Sequence, residues 1–210
     1  MPSSAESHEA TSLPSSYFED LYESRQDPWG FTDRWYEQRK RALTLAALPA
    51  RRYRRAFEPG CSLGVFTGEL AERCDVLIST DVSQTALRRA AGRVPSNVEL
   101  RRWGLGEPWP EETFDLVVLS EVGYYLSTAD LPDVVGAAVA SLEEGGTLVA
   151  AHWRHEVADY PQDGDAVHAT IQAAPELQRL GGWRDEDVVI EVWEKCAHSV
   201  ASLARREGLV

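Results

Sequence analysis

The stretch FEPGCSLGVFTGEL, Phe57 to Leu70, decides the fold. A short apolar run ends in an acid, Glu58. Gly60 follows two residues later, and Gly64, four further on, opens an amphipathic run. Small residues between a strand and a helix let the backbone turn tightly and approach a ligand with no Cβ in the way. The spacing predicts a strand over 54–58 and a helix over 64–73.

The same alternation continues outward. DVLIST (75–80) reads as a strand ending at Asp81, and Ser83 caps a helix reaching about Arg93. Strands follow over 98–103 and over FDLVVLS (114–120), whose near-continuous apolar run suits burial on both faces. A helix over 130–142 leads through Gly145-Gly146 into a strand over 147–152. Residues 153–163 read as a loop, 164–180 as mostly helix, and 187–193 as a late antiparallel strand. Two helices precede the first strand: one from Ser16, and one over 33–48 with Trp35, Leu43, Ala46 and Ala47 on one side. Strands alternating with helices of this length predict an α/β fold with a mostly parallel sheet.

The chain has 210 residues, enough for one domain. We expect a disordered segment over 1–15, rich in Ser and Glu, and a single domain over 16–210. The formal net charge of −13 argues against a nucleic-acid or anionic-membrane partner. Three scattered cysteines form no metal or disulfide pattern, and the opening residues lack the charge and apolar run of a signal peptide. A cytoplasmic location is the expectation. The basic run Arg51 to Arg55 reads as a solvated flank. Nothing fixes the oligomeric state, and a homodimer stays open.

In a doubly wound sheet, ligands bind beyond the carboxyl ends of the strands, at the switch point. The loop after Glu58 falls there, and so does Asp81, whose carboxylate can accept both hydroxyls of a ribose. The loop is EPGCSLG rather than GxGxxG. An acid before it would repel a pyrophosphate but stabilise an ammonium. Glu58, the loop and Asp81 together fit a ligand with an amino-acid end and a ribose end, such as S-adenosylmethionine.

Phe57–Gly64, Asp81, the PEETFDLVVLSEVGYYL block (110–126) and the EEGGTLVAAHW block (143–153) together resemble class I SAM-dependent methyltransferases. The resemblance covers about Tyr17 to Trp193. Trp35-Tyr36-Glu37-Gln38-Arg39-Lys40 and His152-Trp153-Arg154-His155 narrow it to the nodulation-protein-S-like methyltransferases, whose best-known members modify saccharides. The resemblance implies a Rossmann-like, mostly parallel seven-stranded sheet with one antiparallel strand and helices on both faces. It implies cofactor contacts from Glu58, Gly60, Cys61, Ser62, Gly64, Asp81, Val82, Trp103, Gly104, Leu105 and Ser120. Two positions depart from the family pattern. Ser62 replaces the usual middle glycine, and Trp103-Gly104-Leu105 stands where many relatives carry an Asp for the adenine amino group.

The acceptor is expected past the fourth and fifth strands, at a hydroxyl or amino group of a saccharide. His152 is the expected general base, because an imidazole titrates near neutrality. His155 and Glu121 are the other catalytic candidates. Trp29, Tyr124, Tyr125, Trp153 and Tyr160 are candidate sugar platforms, with Arg154 as a polar partner and Asp159, Asp163, Asp165 and His168 nearby. A divalent cation such as magnesium stays open, since no ligand spacing specifies one. The competing readings are a methyltransferase for another small-molecule amine or phenol, and a nicotinamide-dependent oxidoreductase. Glu58 disfavours the latter.

Overall fold

The computed structural model describes residues 11–196 and 200–210. Seven strands form one sheet: β1 (Tyr53–Pro59), β2 (Cys74–Asp81), β3 (Val98–Arg102), β4 (Phe114–Ser120), β5 (Leu142–Trp153), β6 (Leu177–Arg184) and β7 (Val188–Lys195). Their order is β3-β2-β1-β4-β5-β7-β6. The β3-β2-β1-β4-β5 pairings are parallel, and β7 runs antiparallel to both its neighbours. The α-helices of the described residues are α1 (Ser15–Ser24), α2 (Trp35–Ala47), α3 (Val65–Ala71), α4 (Gln84–Ala90), α5 (Leu131–Ser141), α6 (Gly164–Gln172) and α7 (Leu203–Arg206).

The period-2 alternation of β4 builds the core on both faces of the sheet. Phe114, Val117 and Leu119 pack with Val134, Ala138 and Ile171 of α5 and α6. Leu116 and Val118 pack on the other face with Leu70 and Ala71 of α3. Ser83 caps α4 by accepting the Ala86 amide at 3.0 Å, as its sequence position predicts. Gly145 and Gly146 lie within β5 rather than before it. Gly145 has φ 78°, and the register shifts from Phe114↔Leu142 to Leu116↔Thr147, which is how a strand absorbs extra residues as a bulge.

Two expectations about elements are corrected. The helix expected over 164–180 stops at Gln172, and residues 177–184 form the edge strand β6. This strand is largely exposed and bulged between Arg179 and Gly181, so it has neither the alternation nor the apolar run of a recognisable strand. Gly182 is required there, because a Cβ would lie 2.2 Å from the Ile190 carbonyl oxygen. In α2 the inner face is polar. Trp35 is 73% exposed, while Glu37, Lys40, Arg41 and Thr44 are buried. The reason is position: this face covers the strand ends, where charged groups meet a cavity.

Residues 1–10 of the expected disordered segment lie outside the described residues. Ser12 and Leu13 are tied to the domain: Ser12 Oγ accepts the Ser127 amide at 2.7 Å, and the Leu13 amide donates to the Tyr125 carbonyl at 2.8 Å.

Candidate active site

The carboxyl ends of β1, β2 and β4 open into a cavity of about 1250 Å³. The loop after β1 is held by the end of β2. Asp81 is buried, and its two carboxylate oxygens accept the Ser62 amide at 2.9 Å and the Ser83 amide at 2.8 Å. Ser62 has φ 51°, a conformation unfavourable for a side-chain-bearing residue. The Tyr22 hydroxyl from α1 bonds the Ser62 hydroxyl and helps to hold that turn. Burial pushes the Asp81 carboxyl up to about 6, against the pull of those amides. Burial likewise raises Glu58 to about 7, although the Ser79 hydroxyl bonds it at 2.7 Å.

Gly60, Ser62, Asp81, Val82, Trp103, Gly104 and Leu105 line this cavity. Glu58, Cys61 and Ser120 line a smaller cavity of about 60 Å³ beside it, whose wall shares Glu37, Gly60, Ser62 and Glu121 with the larger one. Gly64 lines neither. It has φ 73°, and a Cβ there would meet the Ala90 Cβ at 2.9 Å, so it serves the close packing of α3 on α4. Gly60, with φ 76°, is also set by packing: an added Cβ would stand 2.3 Å from Val122 Cγ1.

Another wall of the cavity is built by the turn Gly123–Tyr125, by α2 and by the loop after β5. Tyr124 and Tyr160 stack at 5.0 Å, and Tyr125 meets both edge-on. Trp29, Tyr124, Tyr125, Trp153 and Tyr160 all line the cavity. Glu121 stands among them with φ 58°. Its Oε1 accepts the Trp153 amide at 3.0 Å and lies 3.4 Å from Lys40 Nζ, while Oε2 accepts the Tyr124 hydroxyl. Two cavity residues, Ser62 and Glu121, thus carry backbone strain of the kind that clusters at ligand-binding and catalytic sites.

Three expected side chains stand elsewhere. His152 is fully buried beneath the cavity floor. Its Nε2 accepts the Gly123 amide at 3.1 Å and its Nδ1 faces His168 Nε2 at 3.1 Å, so neither nitrogen reaches a substrate. The direct general-base role expected for it is therefore corrected. His155 is outside the cavity, paired with Asp187 at 2.8 Å. Arg154 is also outside. Its guanidinium bonds the Asp165 carboxylate at 2.9 and 3.0 Å and the Asp185 carbonyl, bracing the β6–β7 turn. Of the other polar candidates, Asp163 caps α6, Asp165 also pairs with Arg184, and Asp159 is exposed. Among the described residues, no group of three His, Cys, Asp or Glu is placed to hold a metal ion.

The structure adds residues that sequence reading passed over. Tyr36 Oη and Trp109 Nε1 are buried polar atoms of cavity-lining residues, and neither has a hydrogen-bond partner. Tyr36 stands edge-on to Trp153 at 5.2 Å. Its burial and the neighbouring Glu121 carboxylate push its hydroxyl far up, so it stays protonated. Trp109 packs edge-on to Trp103 at 5.2 Å. Trp109 has no local sequence signal. Tyr36 lies inside the WYEQRK run, but as one aromatic among many. Glu37 and Lys40 of that run form a buried pair at 2.9 Å.

This sheet order, with its antiparallel β7 and a site at the β1/β4 switch point, is the class I methyltransferase fold. N-methyltransferase NodS from Bradyrhizobium japonicum WM9, solved with S-adenosyl-L-homocysteine, superposes with a TM-score of 0.79 over 86% of this chain and 98% of that one, at 24% identity. A solved chain from Pseudomonas syringae is 42% identical, covers 77% of this chain and 99% of its own, and gives a TM-score of 0.68. The sequence profile of nodulation protein S (NodS) matches residues 19–176, and the chain belongs to that family. Nodulation protein S of Rhizobium tropici is 34% identical over 127 residues, 59% of this chain and 53% of that protein. The chain thus spans about half the length of that curated relative. Among the described residues, no helix is long and apolar enough to cross a membrane.

Proposed function

We propose that the protein is an S-adenosylmethionine-dependent methyltransferase acting on an amino group of a saccharide. The observation that carries this reading is the charge of the cavity wall. Among the described residues it presents six carboxylates, Glu37, Asp81, Glu107, Glu121, Asp130 and Asp133, against one guanidinium, Arg34. Such a field favours a sulfonium and an ammonium and disfavours the diphosphate of a nicotinamide dinucleotide. The volume also exceeds the roughly 300–1,000 Å³ of a site for one drug-sized ligand, which leaves space for cofactor and acceptor together.

The residues present fit the cofactor. Asp81 can accept the ribose hydroxyls on lone pairs that the two amides leave free. The unpartnered Trp109 Nε1 is a donor for an adenine ring nitrogen beside Trp103, Gly104 and Leu105. Glu58 and Glu37 place negative charge near the loop after β1, where an ammonium would lie. When bound, S-adenosylmethionine supplies a methyl group activated on a sulfonium.

An acceptor amine enters as its ammonium and must lose a proton before its lone pair can attack. Glu121 orients the ammonium and takes that proton at Oε2; Tyr36 Oη, beside it, accepts a second ammonium hydrogen. Tyr124, Tyr160 and Trp153 offer ring faces and edges to the sugar C–H groups. The name N-methyltransferase carried by the B. japonicum relative agrees with nitrogen as the target. A cytoplasmic location and a soluble small-molecule or oligosaccharide acceptor remain part of this proposal.

The test is transfer of labelled methyl to glucosamine, its short oligomers and sugar phosphates, with magnesium or with a chelator. We expect transfer to the amino sugars under both conditions and none to the phosphates. Failure to bind S-adenosylhomocysteine, or tighter binding of a nicotinamide dinucleotide, overturns the reading.

A pH effect follows from Glu58. Its carboxyl is raised from 4.5 to about 7 in the folded chain, so the stability it contributes is fully present below about pH 4.5 and is lost as pH rises through about 7. A cation bound beside it favours the carboxylate. Binding of S-adenosylmethionine near neutrality should therefore release a fraction of a proton, seen as a binding enthalpy that varies with buffer ionisation. Glu58→Gln should remove most of that variation. Buffer-independent enthalpy in the wild type would count against a cation at this position.

A further inference from the structure

Beneath the cavity floor, four side chains form a run of hydrogen bonds that methyl transfer itself does not use. The Gly123 amide donates to His152 Nε2 at 3.1 Å. An amide N–H can only donate, so Nε2 is the unprotonated nitrogen. The proton of the neutral ring is then on Nδ1, which donates to His168 Nε2 at 3.1 Å. That places the His168 proton on Nδ1, where Glu191 Oε2 accepts it at 2.8 Å. Glu191 Oε1 accepts in turn from Arg179 Nε at 2.7 Å. The donor at one end of the run and the acceptors at the other thus favour the same tautomer of both imidazoles.

The run is held tightly. His152 and His168 are 0% and 3% exposed. A Cβ on Gly123 would lie 2.5 Å from Val167 Cγ1, and one on Gly164 would lie 2.8 Å from His152 Cβ. Gly123 opens the turn that carries Tyr124 and Tyr125, and the Tyr124 ring stands edge-on to His152 at 5.3 Å.

We propose that His168 is a positioning residue. It sets the His152 tautomer, His152 anchors the Gly123 amide, and that anchor fixes Tyr124 and Tyr125 in the acceptor floor. The proposal rests on the reading of this cavity as a methyl-transfer site. A second proton on His152 would set an N–H against the Gly123 N–H and release the anchor. The titratable groups facing His152 are His168 from α6, Lys40 from α2 and Tyr124 from the turn. Those around His168 are Glu191 from β7, Arg179 from β6 and Asp165 from its own helix α6. Burial, with His168 and Lys40 adding to it, holds the His152 pKa well below the ordinary imidazole value. The floor therefore stays anchored at neutral pH.

The test begins with nitrogen-15 imidazole spectra of the full chain without ligand. His152 should show a protonated Nδ1 and an unprotonated Nε2 between about pH 6.5 and 8. The opposite tautomer overturns the proposal, whatever happens in any variant. His168→Leu removes the acceptor for Nδ1–H. It should move the His152 proton to Nε2 and raise the KM for glucosamine by about tenfold or more, the scale of a small misplacement. Calorimetric affinity for S-adenosylhomocysteine should hold. His168→Gln, whose amide can accept from His152 and donate to Glu191, should restore both. An unchanged KM in His168→Leu, no rescue by Gln, or an equal loss of S-adenosylhomocysteine affinity overturns the positioning role. A wild type that binds no S-adenosylhomocysteine refutes the methyl-transfer reading, and the acceptor clause with it, while the spectra decide the tautomers separately.

Discussion

Asp81→Ala lowers the affinity for S-adenosylhomocysteine by roughly 10²–10⁴-fold in titration calorimetry, the loss expected from two hydrogen bonds to a charged group at about 1.5–3 kcal/mol each. The carboxylate does two things at once. It offers acceptors at the end of β2, and it binds the amides of Ser62 and Ser83 that shape the neighbouring turns. Its pKa of about 6 means that it is charged at neutral pH, and that binding weakens as pH falls through that value. Asp81→Asn keeps one acceptor but turns an N–H toward an amide, so it should recover little. Melting curves without ligand separate lost contacts from a lost fold. An Asp81→Ala protein that melts like the wild type and binds with unchanged affinity would place the ribose elsewhere.

Glu121→Gln lowers turnover of an amino sugar by about 10²–10⁴-fold, the usual share of a positioned proton transfer, with affinity for S-adenosylhomocysteine nearly intact. The side-chain oxygen that accepts the Trp153 amide is retained in this variant, so the loop after β5 keeps its support. What is lost is the negative charge that pairs with the ammonium and takes its proton. The φ of 58° at Glu121 is held by its amide donating to the Ala151 carbonyl at 2.8 Å. Such a conformation costs about 1–3 kcal/mol and persists only when its surroundings impose it. Turnover above a tenth of the wild-type rate at saturating acceptor would reduce Glu121 to a loop anchor.

Much of the loop after β1, with its anchor at the end of β2, was legible in the sequence because its signals are local. A strand must end before a loop can turn, and an acid must end the next strand about twenty residues on. Glu58, Ser62 and Asp81 therefore fall where their spacing places them. The aromatic wall of the cavity was legible only as a collection of residue types. Tyr124 and Tyr160 stack, and Trp153 lines the same cavity, because the turn after β4 and the loop after β5 close on each other, and that contact leaves no mark on either segment alone.

The histidine pair shows the limit most plainly. A titratable ring at the carboxyl end of a strand reads as a base when only its position along the chain is known. Strand direction fixes where His152 lies, but the packing of α6 decides that it points beneath the floor rather than into the cavity. Likewise α2 is a helix by its own pattern, yet it turns its charged face inward because Glu121 and the strand ends await it. The sequence by itself determined the elements from β1 to β5 and the mostly parallel sheet, since these follow from periodicity and short-range turn chemistry, and its motifs carried the family resemblance; the exposed, bulged edge strand β6 left no such pattern. The tertiary structure alone decided which acids, rings and hydroxyls share one wall, because that depends on contacts between segments more than a hundred residues apart, such as Leu13 with Tyr125.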